Sequence, residues 1–324
     1  VEVYIVYPEL VTIGETMVVF EAAVDGPLRY ASQFNKRHGG AESNVAIGVA
    51  RLGRSAGWIS QVGDDELGKY LVSSIRGEGV DTSCVRYDPH YPTGLYIKEK
   101  IREGSTQVYY YRSGSAASRM KKEDIDWNYV RQAKMIHLTG ITPFLSESCL
   151  DIVFEAIRMA KENGIQLSFD PNLRFKLMKH VPNAKEIVLD IARQADIFMP
   201  GVDEAEFLIG TSDYKQIADY FLQAGVSKMV IKNGSSGTYY ESVDEGAGFC
   251  PSHKVERVTD PVGAGDGFAA GLLVGLLEQK PLKEAVELGA IIGAMVVTVK
   301  GDVEGLPDRA SIESFSMNQR DILR

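Results

Sequence analysis

Asp266 stands in the run Asp260-Pro261-Val262-Gly263-Ala264-Gly265-Asp266-Gly267-Phe268, ahead of the helical pattern Ala269–Leu277. Two glycines flank one alanine there, so backbone N–H groups can approach an anion with no bulky side chain in the way. A helix N-terminus adds unpaired donors and partial positive charge. That combination suits a phosphoryl group in transfer, and it places the Asp266 carboxylate where it can take the proton of an attacking hydroxyl. Helix-end potential is expected to hold Asp266 ionised. A lone Asp before a helix is ordinarily a cap. Gly-Ala-Gly ahead of it, with the small Gly267, Ala269 and Ala270 behind, favours catalysis here. The run matches neither GxxxxGK[ST] nor a GxGxxG that follows an N-terminal strand.

Two further segments have the same character. Gly39-Gly40-Ala41-Glu42-Ser43-Asn44-Val45-Ala46 is a glycine pair opening a helix, and Lys232-Asn233-Gly234-Ser235-Ser236-Gly237 is a glycine turn after the strand pattern Lys228–Ile231. Each alone reads equally well as an ordinary turn. Val108–Ala116 and Asp170–Arg174 contribute Arg112 and Arg174. Two arginines brought to one pocket suggest an acidic substrate, because the guanidinium fork matches a carboxylate. Taken singly, each reads as well as a solvated surface charge.

These residues need a scaffold. Strand patterns at Leu10–Ile13, Met17–Phe20, Ala56–Ser60, Met135–Leu138, Gln166–Phe169, Asp196–Met199 and Lys228–Ile231 alternate with helical patterns such as Glu42–Leu52, Glu66–Gly77, Glu147–Asn163 and Pro182–Arg193. The alternation implies an α/β fold, a mainly parallel central sheet with helices on both faces. Ligands then bind beyond the carboxyl ends of the strands, which is where Arg174 falls. Gly94–Arg112 breaks the rhythm as an antiparallel hairpin about the turn-like Arg102-Glu103-Gly104-Ser105. Leu95, Ile97 and Ile101 share one face; Tyr96, Lys98 and Lys100 share the other, and Tyr110 and Arg112 fall together on the second run. With Met17–Phe20 the hairpin is expected to form a small sheet, suited to a lid or a dimer contact.

The chain has 324 residues, 35 basic and 44 acidic, for a formal charge of −9. That balance argues against nucleic acid as a ligand. Cys84, Cys149 and Cys250 are scattered without metal spacing, the usage of a reducing cytosol. No apolar run reaches the roughly 20 residues of a membrane span. Val1–Pro8 reads as a first strand or an appended remnant, since it lacks the features of a signal peptide. The expectation is a cytoplasmic protein with no membrane partner.

The three glycine segments, in this order over most of the chain, resemble the ribokinase-like (PfkB) carbohydrate kinases. That family carries Gly-Gly-x-x-x-Asn-x-Ala near its start and Asp-x-x-Gly-Ala-Gly-Asp-x-Phe near its end, here Gly39–Ala46 and Asp260–Phe268. The resemblance implies one ribokinase-like domain over 1–324 with a small β-sheet lid from segments near 14–38 and 93–113. It implies ATP as donor, Mg2+ as metal, Asp266 as base and the Gly263, Ala264 and Gly265 amides as anion hole. Asn172, Lys232, Gly234 and Gly237 would join Gly263 and Gly265 around the nucleotide. Glu204 matches the residue that organises magnesium waters, although Gly201 stands where that motif usually starts with Asn. Asp260 is similar to a monovalent-cation ligand of some relatives, which would make K+ a further cofactor. Within the family the arginine segments look like those of 2-keto-3-deoxygluconate kinases. Sugar-acid contacts would then be Gly40, Asn44, Tyr96, Tyr110, Arg112, Arg174, Asp266 and Asp302. Fructose, ribose or a related deoxy-keto acid are the alternative substrates, and a non-catalytic sugar-acid sensor is the alternative class. Oligomerisation through the lid is the remaining expectation.

Overall fold

A computed structural model describes residues 7–102 and 105–322. Its thirteen strands are β1 Leu10–Ile13, β2 Met17–Ala22, β3 Phe34–Gly39, β4 Ala56–Gly63, β5 Val85–Asp88, β6 Leu95–Arg102, β7 Ser105–Tyr111, β8 Met135–Thr139, β9 Gln166–Asp170, β10 Ile197–Phe198, β11 Lys228–Lys232, β12 Thr238–Ser242 and β13 Gly246–Cys250. Nine form a central sheet in the order β13-β12-β11-β10-β9-β8-β1-β4-β5. From β11 to β5 every pairing is parallel, while β12 and β13 close one edge antiparallel.

Strand side chains alternate between two cores, as their period of two requires. On β1, Val11 and Ile13 join one apolar cluster while Leu10 joins the other; on β11, Met229 and Ile231 oppose Val230. Helices Glu147–Asn163, Ala184–Ala192 and Tyr214–Gln223 cover the first face. Ala41–Arg51, Glu66–Gly77, Ala264–Leu277 and Leu282–Val296 cover the second. Ala264–Leu277 and Leu282–Val296 pack closely, because a Cβ on Gly271 would lie 2.8 Å from the Gly289 backbone. Gly267, Ala269 and Ala270 are buried in this layer. Their small size therefore serves helix packing.

A second sheet, β3-β2-β6-β7, lies apart from the first. β6 and β7 are the expected hairpin, with Tyr96 opposite Tyr110; Glu103 and Gly104 of its turn lie outside the described residues, as does most of Val1–Pro8. The face pattern departs from simple alternation beyond Lys100, where the register shifts. Ile101 is exposed, and buried Glu99 instead accepts bonds from the Leu28 amide and the Tyr109 hydroxyl.

Candidate active site

One cavity of about 390 Å³ opens between the carboxyl ends of the central strands and the second sheet. Helix Ala264–Leu277 points its N-terminus into it. The helix begins five residues earlier than its apolar pattern suggested, so Asp266 is inside the first turn and is not the cap. The capping position is Gly263, at φ +79°, where a Cβ would also meet the Asp302 carbonyl at 2.3 Å. Only glycine suits that backbone. Among the described residues the Gly265 and Asp266 amides have no backbone acceptor, which leaves them as donors for an anion.

Asp266 Oδ2 accepts a 2.7 Å bond from Asn44 Nδ2. Asn44 rides in the first turn of helix Ala41–Arg51, whose start is pinned from below. Buried Glu42 accepts hydroxyl bonds from Thr139 (2.6 Å) at the end of β8 and from Thr142 (2.8 Å) in the turn that follows it. Gly40 abuts the crossover from β1 to β2, since its Cβ would lie 2.6 Å from the Glu15 carbonyl. The two glycine motifs thus meet on opposite sides of one carboxylate.

That carboxylate is not held ionised by the helix end. Burial among protein atoms pushes the Asp266 pKa up to about 7; Asn44 and Arg174 oppose the shift, while Asp170 and Asp302 add to it. Desolvation and like charge outweigh the dipole, which corrects the sequence expectation. A group poised near neutrality is well matched to accept a proton.

Deeper in the cavity, Lys232 Nζ sits 2.5 Å from Asp170 Oδ2. Burial alone would lower the lysine pKa, but Asp170 and Glu204 hold it up. Glu204 accepts bonds from the Leu173 and Gly201 amides at 2.7 and 2.8 Å, and burial with Asp170 nearby raises its pKa. No group of three or more His, Cys, Asp or Glu that could hold a metal ion occurs among the described residues. A Mg2+ held mainly by phosphate and water fits this set, because it uses only one or two protein carboxylates. Glu204 and Asp170 both face the cavity and are the carboxylates that could hold it.

Of the residues singled out by sequence, Gly40, Asn44, Tyr96, Tyr110, Arg112, Asn172, Arg174, Glu204, Lys232, Gly263, Gly265, Asp266 and Asp302 all line the cavity. Ala264, Gly234, Gly237 and Asp260 do not. Gly234 and Gly237 shape the turn after β11, and Asp260 braces its own loop by accepting from the Val262 and Gly301 amides. Asp302 accepts from Tyr96 and Lys98 of β6 at 3.4 and 3.3 Å. Four cations line the cavity: Lys98, Arg112, Arg174 and Lys232. Arg112 is paired with Glu15, Lys98 with Asp302 and Lys232 with Asp170. Arg174, exposed at the head of the short helix Phe175–Met178, is the one lining cation with no ion pair among the described residues. Sequence reading missed Glu15, Asp170 and Lys98. Lys98 alternates with Tyr96 on the strand and could have been found by that spacing; Asp170 opens the segment singled out for Arg174 and could have been found by its place at a strand end, while Glu15 carried no local signal.

The chain is 42% identical over 315 residues to a 2-dehydro-3-deoxygluconokinase of Bacillus subtilis, covering 97% of each. It is 35% identical to the enzyme of that name from Thermoproteus tenax, over 94% of this chain and 93% of that one. A solved E. coli structure assigned as ribokinase II, in complex with ATP and Mg2+, superposes with a TM-score of 0.89 at 27% identity, covering 96% of this chain and 99% of that chain. The matching family model, pfkB family carbohydrate kinase, spans residues 8–309 and so takes in both glycine motifs, both sheets and the cavity between them: the chain belongs to the pfkB family of carbohydrate kinases.

Proposed function

We propose that this sugar kinase transfers the γ-phosphoryl group of ATP to the 6-hydroxyl of 2-keto-3-deoxygluconate, giving ADP and 2-keto-3-deoxy-6-phosphogluconate. The observation that carries the reading is the placement of Arg174. The one lining cation without an ion pair among the described residues shares the cavity with the Asp266 carboxylate and the open first turn of helix Ala264–Leu277. A sugar acid spans the two, its carboxylate on Arg174 and its terminal hydroxyl at Asp266.

The hydroxyl oxygen attacks the γ-phosphorus in line, the bond to the bridging oxygen of ADP breaks, and the hydroxyl proton passes to Asp266. Asn44 keeps the Asp266 carboxylate turned toward the cavity. The Gly265 and Asp266 amides, with Gly263 holding the turn, stabilise charge on the transferring oxygens. Glu204 and Asp170 would hold Mg2+ through its waters, and the ion supplies neutralisation of the phosphate charge. Lys232 holds Asp170 in place, and Asn172 lines the same wall. Tyr96 and Tyr110 bound the sugar from the second sheet, which acts as the lid, and Asp302 bounds it from the loop after helix Leu282–Val296. Asp260, braced to Gly301, is where K+ would bear on the anion loop. A cytoplasmic setting, and pairing of two copies through the exposed edge at Tyr111, belong to the same reading.

ADP release measured against a panel of sugars and sugar acids, with the product's phosphate located by NMR, tests it. The keto-deoxy acid is expected to give the highest kcat/KM, with phosphate on C6. Preference for fructose or ribose would replace the substrate, and no turnover with any of them would favour a sensor.

A further inference from the structure

Glu15 occupies a position that no motif announced. Its side chain is fully buried where the chain passes from β1 to β2, and a carboxylate there must be matched by donors. They come from the far end of the second sheet. Arg112 donates to Glu15 Oε2 through Nε at 2.7 Å, its Nη2 stands 2.5 Å from the same oxygen as an ion pair, and Ser115 Oγ donates to Oε1 at 2.5 Å.

The chain crosses between the two sheets four times, and Glu15 meets each crossing. It lies on the first. The second passes at Gly40, whose Cβ would lie 2.6 Å from the Glu15 carbonyl. The third passes at Gly94, whose Cβ would lie 2.6 Å from Glu15 Oε1. Arg112 and Ser115 are on the fourth. The guanidinium fork that the sequence assigned to a substrate carboxylate is therefore taken up by an internal one. Nη1 of Arg112 has neither a hydrogen bond nor the close ion-pair contact of Nη2 among the described residues, and Arg112 lines the cavity.

We propose that Glu15 is a positioning residue that fixes Arg112 so that its remaining nitrogen, Nη1, donates to the carboxylate of the sugar acid. Selectivity for the acid then depends on an aimed donor beside Arg174, and not on loose positive charge. A buried carboxylate oxygen that meets Nε and Nη2 together, its other oxygen braced by Ser115, immobilises a planar guanidinium far better than solvent would. This inference rests on the sugar-acid reading above.

The readout is the ratio of kcat/KM for 2-keto-3-deoxygluconate to that for D-fructose, with ATP saturating. Glu15→Gln is expected to lower the ratio about tenfold or more, through KM of the acid. In an Arg112→Ala background the same change should leave the ratio within about twofold, since the residue it positions is gone. Equal losses on both substrates, a ratio unchanged by Glu15→Gln, or an undiminished effect in the Arg112→Ala background would each overturn the assignment. Should Glu15→Gln fail to fold, Ser115→Ala removes one brace from the same carboxylate. A fall of about threefold in the ratio supports the role, and no change contradicts it. A wild-type protein without preference for the acid would instead overturn the sugar-acid reading itself.

Discussion

At the scale of single residues, the chemistry is set by where charges are left unmatched. Asp266 is raised to about 7 because burial outweighs its one hydrogen bond. Its protonated form cannot accept a proton, so the free-enzyme profile of kcat/KM should fall as pH drops through about 7, approaching tenfold per unit on the acid side. A profile flat down to pH 5 would remove Asp266 as the group that titrates. Arg174 makes no ion pair among the described residues, so Arg174→Ala should leave the fold intact. Affinity for the sugar acid should fall on the order of 10- to 100-fold, with fructose turnover changing far less; parallel steady-state runs on the two substrates measure this. Asp266, Asn44 and Arg174 were legible because glycines or a strand end mark their neighbourhoods. The pairings made by Asp170 and Glu15 were not. Their partners, Lys232 and Arg112, are 62 and 97 residues away, a relation set by topology alone.

At the scale of elements, the sheet and its main helices were readable from periodicity, since strands feeding two cores and helices feeding one have different spacing. Leu10–Ile13, Glu66–Gly77 and Glu147–Asn163 fall where the pattern placed them. The start of helix Ala264–Leu277 was not readable. Its first turn, Gly-rich and facing a cavity, has no apolar period to betray it. That turn stands on the Gly263 backbone, so Gly263→Ala should damage it twice, through φ and through the Asp302 carbonyl. The expected outcome is about 1–3 kcal/mol lost in denaturant unfolding, with kcat falling more than KM rises. A variant of wild-type stability and turnover would show that the turn is not needed in this form. β12 and β13 also escaped the sequence reading, because an antiparallel edge pair breaks the strand–helix alternation.

At the scale of the whole molecule, an acidic chain gathers four cations around one cavity and closes it with a separate sheet. The lysine of β6 and the tyrosine beside it reach Asp302, which lies against the Gly263 turn. The second sheet is thereby in contact with the anion site, and a movement of one would be felt by the other. Hydrogen exchange of β6 and β7 amides should slow when sugar acid and ATP are bound together, and unchanged exchange would mean the sheet does not act as a lid. The central claim, that this cavity phosphorylates a sugar acid with Asp266 as base, is tested most directly by ADP release from 2-keto-3-deoxygluconate with the wild type and Asp266→Asn. The expected result is robust turnover by the wild type and a loss of at least ~10^2-fold in kcat for the variant. Near-normal turnover by Asp266→Asn would contradict it.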